Sequence, residues 1–527
     1  MTVPLGANPK LDRARMIALL AAALATLYFG WFNHDFSVNA LRYAEDVERG
    51  IELFHPNHLI PNFLFRAIYL GIQAVGVTGV RAIWIMQCVT AACGIAAAAA
   101  IAHIACARAQ SWIGLLVGLL FAVGFSAWNF AEEPDVYMLP AAAVAVSLAI
   151  LLPRAQLSWR AVAALAALAV FAVLTLQQYV FWYPVLLALV ARRDLGTARS
   201  RRGKLVLFSA GIPLACLTAY VAAGWASDQL HSVRDLTAWF LGYAWDNERG
   251  FGTYRAPPAI GARLLGTLLG LGNLVFAYEL VLSKIALALA IGTSSLLAWI
   301  GWAAVRRLQR ERPMLRSDTL LVLTWCVLNL AFATWWESRN IEFLFPVWVG
   351  GCVLLALAAP GLDRRALVIA ALLVGIVNFA VAFGPQRDFP ARYLTVARLA
   401  AHEQLTPADV LITEELNSAS YLRYFAQVEV TFFPGAISSA MQAAQPLAPA
   451  RAALDQLVGS GARVYTTELD EHGRLRALAR WFAPLGRNGF DGAIDRDIEL
   501  FYRGLDISEQ PVAGVRRVRA GVSPQSR

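Results

Sequence analysis

The strongest constraint on this sequence is a series of long apolar runs that recur between Met16 and Gly384. Each run has the ~17 to 25 residues that an α-helix needs to cross a bilayer, and short charged segments separate the runs. The chain is 58% hydrophobic and only 15% charged, which is more apolar than an ordinary soluble domain. The sequence therefore predicts a mainly α, polytopic membrane protein.

The apolar runs and their breaks predict about eleven transmembrane helices. They are placed at 16–32, 82–104, 111–128, 136–152, 161–176, 179–191, 205–225, 284–304, 318–335, 342–359 and 366–384. The first run ends without a small-residue cleavage site, so it is interpreted as a retained helix and not as a signal peptide. A transmembrane domain over 1–384 and a soluble domain over 385–527 are predicted.

Basic residues predict the orientation of these helices. The segments placed inside are the N-terminus and the loops near 105–110, 153–160, 191–204, 305–316 and 361–365. They hold nineteen Lys and Arg against five acidic residues, counting Asp318 just beyond the loop near 305–316, so the positive-inside rule assigns them to the cytoplasm. An odd number of crossings then puts the C-terminal domain outside the plasma (inner) membrane. The net charge of +9 follows from topology, the Arg-rich blocks are interpreted as topology anchors, and no nucleic-acid partner is predicted.

Two outer segments, 33–81 and 226–284, are longer than a simple connection between helices. In both segments, a polar stretch precedes an apolar stretch that is interrupted. Proline and polar residues (Pro61, Asn62 and Arg66) interrupt the first apolar stretch, and glycines interrupt the second. This pattern favours helices lying along the membrane surface. A true crossing at 59–76 is the alternative, and it would put the later basic loops on the wrong side.

Acidic residues collect at the predicted outer ends of the helices. Asp35 follows the first helix, where a carboxylate can accept a proton from an acceptor hydroxyl or amine without being buried in lipid. The alternative is that Asp35 caps a helix beginning near Val38. In GFSAWNFAEEPDVYMLP, the acids Glu132, Glu133 and Asp135 stand without any basic residue, so repulsion should raise their pKa values unless a cation, a base or a substrate hydroxyl compensates.

Two further motifs contain groups suited to binding phosphate. His55 and His58 in HPNH are expected to hydrogen-bond a phosphate or Asp35 in preference to forming a zinc site. Arg339 in WWESRNIEFLFP can bind a pair of phosphate oxygens, and pairing with Glu337 or Glu342 is the equal alternative. All six cysteines fall in or beside predicted membrane helices, so neither a disulfide framework nor a cysteine metal site is predicted.

These positions, in this order, resemble the GT-C superfamily of integral-membrane glycosyltransferases, and most closely its branch related to protein O-mannosyltransferases. In that branch an acidic residue follows the first helix, a His-Pro segment ends the same loop, an acid-x-Tyr pattern opens the fourth helix and an Arg precedes a late helix. The matching residues here are Asp35, His55 with Pro56, Glu133 to Tyr137 within EEPDVYML, and Arg339.

The resemblance implies transfer of a sugar from a polyprenyl-phosphate-linked donor to a protein, lipid or glycan acceptor on the extracytoplasmic side, with inversion at the anomeric carbon. It implies that Asp35 is the base or orients the acceptor. Arg339 would hold the phosphate with help from His55 and His58, and Glu133, Asp135 and Tyr137 would shape the substrate pocket. Many relatives carry two adjacent acids where this chain has Asp35-Phe36. Because one acid of the pair is missing, the resemblance leaves binding of a divalent metal open and assigns no cofactor.

Residues 385–527 alternate short apolar strands with helical stretches, which predicts a small α/β domain with a mainly parallel sheet. Strands are predicted at 409–413, 428–434, 462–468 and 498–505, and the end of the chain from Val515 is predicted to be flexible. We expect this domain to contact an acceptor or another subunit.

Two other functions remain open from sequence. A transporter or flippase of lipid-linked intermediates usually has charges inside its membrane helices and internal repeats, and neither feature is evident here. A non-catalytic scaffold with the same fold is left open by the missing acidic pair after the first helix.

Overall fold

The computed structural model describes residues 9–109, 111–245, 260–277, 284–311, 313–412, 416–428, 431–432, 456, 459–466, 506–512 and 515–519. The chain divides into two compact units. The first contains 1–33, 43–255 and 263–387, and the second contains 34–42, 256–262 and 388–527. The domain boundary at residue 385 stays a prediction.

Helices make up the first unit. They are Pro9–Gly30 (α1), Val38–Arg49 (α2, whose first residues belong to the second unit), Pro61–Ala74 (α3), Ala82–Cys106 (α4), Ser111–Val123 (α5), Phe125–Glu132 (α6), Met138–Leu151 (α7), Trp159–Thr175 (α8), Trp182–Ala191 (α9), Ala198–Val206 (α10), Ile212–Ala226 (α11), Val233–Trp245 (α12), Ile260–Val275 (α13), Lys284–Leu308 (α14), Pro313–Trp336 (α15), Ile341–Leu357 (α16) and Arg364–Asn378 (α17). A 3₁₀ turn precedes α9, and a π-helical turn at Leu207–Gly211 joins α10 to α11.

Every predicted membrane segment coincides with a helix, but the helices differ in length. Among the described residues, six helices are long and apolar enough to cross a membrane, and the bent α5–α6 pair would make a seventh. The segments predicted at 136–152, 161–176, 179–191 and 342–359 form shorter apolar helices. At ~1.5 Å per residue such helices cover less than the ~30 Å hydrocarbon core, so the number of crossings stays a prediction.

The outer faces of the long helices are apolar, as expected of a protein surrounded by lipid. Leu214 and Leu217 on α11 are 64% and 53% exposed, and Leu320 on α15 is 61% exposed. At the centre of the bundle, almost every residue of α7 is buried. Apolar faces outside and an apolar core inside define an integral membrane protein.

The third predicted crossing is not a continuous helix. α5 and α6 meet at Gly124 with a bend of 68°, and the Trp348 indole lies so close to Gly124 that a Cβ there would approach it to 2.6 Å. The Asn378 amide donates to the Val123 carbonyl at 2.9 Å and to the Val275 carbonyl at 2.8 Å. The Asn378 amide thus satisfies the Val123 carbonyl at the break, and a sequence pattern of apolar residues does not reveal such a partner.

Five of the predicted inner segments lie together at one end of the bundle. Arg108 and Arg307 both pair with Glu311, at 3.2 and 2.9 Å, and Gly361 packs on the Arg307 side chain. Arg193 joins the loop after α9 to Asp318 on α15, and the Leu157 amide donates to the Asp194 carbonyl at 3.0 Å. The basic loops therefore share one end of the bundle, and the cytoplasmic assignment of that end stays a prediction.

The Arg193–Asp318 pair is bidentate, with N–O distances of 3.1 and 2.7 Å, and its side chains are 0% and 4% exposed. Arg193→Ala should lower the free energy of unfolding by about 3–5 kcal/mol, because Asp318 would remain charged and buried without its partner. Thermal unfolding in a neutral detergent measures the loss.

The control is the double replacement Arg193→Met with Asp318→Leu, which removes both charges and keeps the volume. It should restore most of the stability lost in Arg193→Ala. A double variant as unstable as the single one would show that packing, and not an orphaned charge, explains the loss.

The described part of the second unit contains two helices and a five-stranded sheet. The elements are Ala391–Glu403 (α18), Val410–Ile412 (β1), Leu416–Tyr421 (α19), Thr431–Phe432 (β2), Val464–Thr466 (β3), Asp506–Val512 (β4) and Val515–Arg519 (β5). The strand order is β2-β1-β3-β5-β4, with β1 parallel to β2 and β3, and β5 antiparallel to β3 and β4.

The sheet corrects two expectations. The sheet is mixed and not mainly parallel, and Val515–Arg519, the described part of the segment predicted to be flexible, forms β5 between β3 and β4. The Val-Arg-Arg-Val-Arg sequence does not predict a strand, because its three arginines obscure the alternation of apolar and polar residues. The strand predicted at 498–505 lies outside the described residues, as do most of the helical stretch predicted at 450–461 and all of the one predicted at 472–483.

Candidate functional site

The acidic loop between α6 and α7 is built into the protein and is not a solvated helix end. Glu132, Glu133 and Asp135 are 0%, 6% and 5% exposed. The loop turns tightly, because the Asp135 amide donates to the Glu133 carbonyl at 2.8 Å and the Val136 amide donates to Asp135 Oδ1 at 2.6 Å. Burial of three carboxyl groups is costly unless they are protonated, paired or hydrogen-bonded, and a cluster of this kind is therefore a candidate functional site.

Helix α4 holds this loop in place through polar side chains on one face. The Gln87 amide donates to the Glu132 carbonyl at 2.7 Å and to the Asn33 carbonyl at 2.9 Å, and the Thr90 hydroxyl donates to the Ala131 carbonyl at 3.0 Å. Gly94 permits close approach, since a Cβ there would lie 2.8 Å from that of Ala131. The end of α6 is thus capped by α4, which aims the acidic loop.

A fourth carboxyl group, that of Glu342, reaches this loop from far along the chain. The Tyr137 hydroxyl donates to Glu342 Oε2 at 2.6 Å, and the Asn340 amide donates to the same oxygen at 3.1 Å. Asn340 also caps α16, accepting from the Glu342 amide at 2.9 Å. The sequence placed Glu342 among the carboxylates at the predicted outer helix ends and offered it as a partner for Arg339, but it did not predict the contact with Tyr137.

The electrostatics of Asp135 follow from this packing. Burial raises the pKa of the Asp135 carboxyl well above its ordinary value, and the charges of Glu342 and Glu133 raise it further, against the lowering effect of the Val136 N–H bond. This confirms the direction expected from the sequence. A carboxyl held in this way either donates a hydrogen bond while protonated or ionises when a cationic or hydroxyl-bearing ligand compensates.

Asp135→Asn should change how stability depends on pH. Because the pKa of Asp135 is raised on folding, the folded state binds the proton more tightly than the unfolded state does. The contribution of Asp135 to stability therefore falls as pH rises from about 4, the pKa of a free Asp, to the raised folded value, and is constant above it. Thermal midpoints measured from pH 4 to 8 should show the Asn variant gaining on wild type across that window.

Asp228→Asn is the matched control, because the Asp228 side chain is 93% exposed. Its midpoints should follow those of wild type at each pH. Parallel curves for Asp135→Asn and wild type would show that burial of Asp135 imposes no such penalty.

The HPNH segment forms a tight turn. The His58 amide donates to the His55 carbonyl at 3.1 Å, and the two rings stack with centroids 4.3 Å apart. Neighbouring helices fix the turn, since the Gln177 amide donates to the Asn57 carbonyl at 2.9 Å and the Tyr220 hydroxyl donates to the Pro56 carbonyl at 2.9 Å.

His58 and the acidic loop are linked through Tyr43. The His58 Nε2 atom lies 3.0 Å from the Tyr43 hydroxyl, and Tyr43 is close enough to Tyr137 for an electrostatic interaction. The structure therefore brings Glu133, Asp135 and Tyr137 into one cluster with Glu342, and places the His turn at its edge. Tyr43 also belongs to this cluster, and the sequence did not predict it.

Arg339 lies in the short loop between α15 and α16, and α13 packs against this loop. A Cβ on Gly266 would approach Arg339 Cγ to 3.3 Å, and one on Gly270 would approach the Arg339 carbonyl to 3.2 Å. Arg263 donates to the Trp335 carbonyl at 2.7 Å. The two glycines, one helical turn apart, let α13 lie directly on the loop, and Asn340 joins the loop to Glu342.

Asp35 is described within the second unit. The chain on both sides of it is held by Tyr421, whose hydroxyl donates to the His34 carbonyl at 2.6 Å and accepts from the Phe36 amide. Phe36 is fully buried and stacks on Tyr421. The residue that caps α2 is Ser37, whose hydroxyl accepts from the Ala40 amide at 3.1 Å. The structure thus gives the capping role to Ser37 and holds the backbone of Asp35 independently.

Among the described residues, no group of three or more His, Cys, Asp or Glu side chains is arranged to hold a metal ion. A divalent metal stays a prediction from the resemblance.

No family model matches the chain, and no curated protein matches it. Two solved structures of ArnT from Cupriavidus metallidurans share its fold at 13% identity and a TM-score of 0.54. The apo structure matches over 96% of this chain and 97% of its own, and the structure bound to undecaprenyl phosphate matches over 97% and 98%.

Two further matches are weaker. The Archaeoglobus fulgidus oligosaccharyltransferase matches at 12% identity with a TM-score of 0.47, over 94% of this chain and 73% of that one. The S. cerevisiae Pmt1-Pmt2 protein O-mannosyltransferase complex matches at 15% identity with a TM-score of 0.34, over 43% and 35%. The chain therefore shares the fold of the ArnT structures, while membership of the GT-C superfamily and of its O-mannosyltransferase branch stays a prediction.

Proposed function

We propose that this protein is an integral-membrane glycosyltransferase that transfers a sugar from a polyprenyl-phosphate-linked donor to an acceptor outside the cytoplasm. The observation that carries the proposal is a fold shared over almost its whole length with a protein whose solved structure holds undecaprenyl phosphate. The buried cluster of Asp135, Tyr137 and Glu342 supports it, because such groups are suited to ordering sugar or acceptor hydroxyls.

In the proposed reaction, Asp35 accepts the proton of an acceptor hydroxyl or amine as that group attacks the anomeric carbon of the donor. The new glycosidic bond forms on the face opposite the leaving group, and the bond from the anomeric carbon to the phosphate oxygen breaks. The polyprenyl phosphate leaves with its electron pair and carries the negative charge. The configuration at the anomeric carbon is therefore inverted.

Arg339 stabilises the charge that develops on the leaving phosphate, with His55 and His58 as further hydrogen-bond donors. Glu133, Asp135 and Tyr137 orient the sugar or acceptor. A phosphate is already a good leaving group, so the protein need supply only a base, a cation and positioning. The proposal places this site on the extracytoplasmic side of the plasma membrane, with the N-terminus in the cytoplasm.

Ligand binding tests the proposal directly. The purified protein in neutral detergent should be stabilised against heat by undecaprenyl phosphate and not by undecaprenol, which has the same chain without the phosphate. Equal effects of the two lipids would contradict a phosphate-dependent donor site.

A cellular comparison separates an enzyme from a transporter or a scaffold. Mass spectrometry of envelope glycans, with and without the protein, should reveal one sugar that depends on its presence. If an Asp35→Asn variant present at wild-type level maintained that sugar in full, the scaffold or transporter reading would be favoured over catalysis at Asp35.

A further inference from the structure

A group of arginines stands out at the basic end of the first unit, around the start of α8 and the whole of α10. Arg160, Arg192, Arg199, Arg201 and Arg202 are all exposed. Within the described part of the chain, none of these five side chains has an acidic partner. Two other cations of the same segment, Arg193 and Lys204, are buried, and both donate hydrogen bonds within the protein.

The buried cations make this surface rigid. Lys204 Nζ donates to the Leu157 carbonyl at 2.7 Å and to the Leu195 carbonyl at 2.9 Å, so it clamps the loops before α8 and α10 together. The Trp159 ring lies 5.6 Å from Lys204 Nζ. Trp159 also packs on Gly203, where a Cβ would approach the ring to 3.0 Å. α10 is thus fixed against the first turn of α8.

The one acidic residue within 191–204 is already occupied. Asp194 accepts from the Gln156 amide at 2.8 Å and from the Gly196 amide at 2.8 Å. The loop therefore neutralises none of the exposed arginines. Exposed arginines without an acidic partner on a rigid surface can bind an anion from outside the chain.

Helix length places these arginines at a defined depth. The helix Ala198–Ala226 has 29 residues, or about 44 Å, which matches the ~40–45 Å of a bilayer including its headgroups. Its apolar part, with Leu214 and Leu217 exposed, accounts for the hydrocarbon core. The first turns of α10 then lie among the headgroups, and the half-exposed Trp159 ring suits the same level.

We propose that α10 and the start of α8 form a binding site for the phosphate headgroup of an anionic phospholipid. Arg199 and Arg202, which are one turn apart on one face of α10, bind the phosphate. Arg201 adds positive charge at the same level, and Trp159 packs beside the glycerol and upper acyl chains. This assigns a ligand to a block that the charge pattern alone explained as a topology anchor, and it is independent of the proposed glycosyl transfer.

The test is a titration of the full-length protein in neutral detergent with dioleoyl phosphatidylglycerol, followed by native mass spectrometry and thermal unfolding. Wild type should bind phosphatidylglycerol in preference to phosphatidylcholine, and added salt should weaken the binding. Replacing Arg199, Arg201 and Arg202 with Gln should weaken phosphatidylglycerol binding by roughly 100-fold.

The control removes the same charge from the same end of the bundle, with Arg306, Arg310 and Arg365 replaced by Gln. It should retain phosphatidylglycerol binding within about twofold of wild type, since these side chains lie outside the proposed site. Equal losses in the two triple variants, or equal binding of the two lipids by wild type, would overturn the proposal. The proposal would also be overturned if a single-stranded oligonucleotide displaced phosphatidylglycerol at a concentration below the one at which the lipid itself binds.

Loss of three positive charges can also impair membrane insertion. The triple variant Arg199→Lys, Arg201→Lys and Arg202→Lys keeps the charge and removes the bidentate geometry. If the Gln variant fails to insert, this Lys variant tests the proposed site. It should insert normally and bind phosphatidylglycerol several-fold more weakly than wild type. Binding as tight as wild type would overturn the role given to the guanidinium groups.

Discussion

Asp35→Asn should reduce sugar transfer by at least about 100-fold, because the amide cannot accept the proton that the attacking acceptor releases. The substitution keeps the size of the side chain, and Tyr421 holds the flanking residues through the His34 carbonyl and the Phe36 amide. Folding should therefore be preserved. The rate of release of polyprenyl phosphate from the donor, compared at equal protein level in membranes, measures the effect.

Glu52→Gln is the matched control, since it neutralises an exposed carboxylate in the same outer segment. It should transfer sugar at the wild-type rate. Tyr421→Phe is a second comparison, because it removes the hydroxyl that fixes the chain on both sides of Asp35. This variant should lower kcat for each folded molecule and leave KM for the donor nearly unchanged. A simple loss of folded protein would instead lower the amount of active enzyme, with kcat per folded molecule and KM unchanged. Wild-type transfer by Asp35→Asn would remove Asp35 from the mechanism.

Arg339→Ala should weaken binding of undecaprenyl phosphate by roughly 10- to 100-fold, the effect expected when one charge-assisted hydrogen-bonding group is lost. The loop that carries Arg339 is held by Gly266 and Gly270 of α13, so the backbone should stay in place when the side chain is shortened. The loss of thermal stabilisation by undecaprenyl phosphate measures the effect.

Arg339→Lys should bind the phosphate with intermediate affinity, because it keeps the charge and loses the planar fork. Arg234→Ala is the control for charge, since Arg234 is exposed on α12 in the other long outer segment. It should bind like wild type. If Arg339→Ala also bound like wild type, the phosphate would have to be held by other groups, and pairing of Arg339 with a neighbouring carboxylate would become the better interpretation.

The parts of the site that sequence could predict share a local signal. Glu133, Asp135 and Tyr137 stand within five residues of one another, and three acids without a basic residue are unusual beside an apolar run. The expected rise in the pKa of Asp135 also came from that local pattern, and the structure agrees in direction. Glu342 joins Tyr137 across 205 positions of sequence, and no spacing rule connects residues so far apart.

The same limit explains the fold-level differences. The bend at Gly124 depends on Trp348 from α16 and Asn378 from α17, so the apolar run containing Gly124 predicts only one continuous crossing. β5 was missed because its pairing with β3 and β4, and not its own alternation, makes it a strand. Side-chain patterns report burial along one element, and they carry little information about which distant element supplies the partner.

The sequence by itself determined that this chain is an apolar helical protein with its basic loops segregated from its acidic ones, because bilayer thickness and the cost of moving charge act on each segment separately. Tertiary structure alone decided which carboxylates meet Tyr137, which arginines are buried with a partner and which are left exposed. Those outcomes depend on close approach between elements far apart in the chain, where a difference of a few ångströms separates a satisfied hydrogen bond or ion pair from a free group.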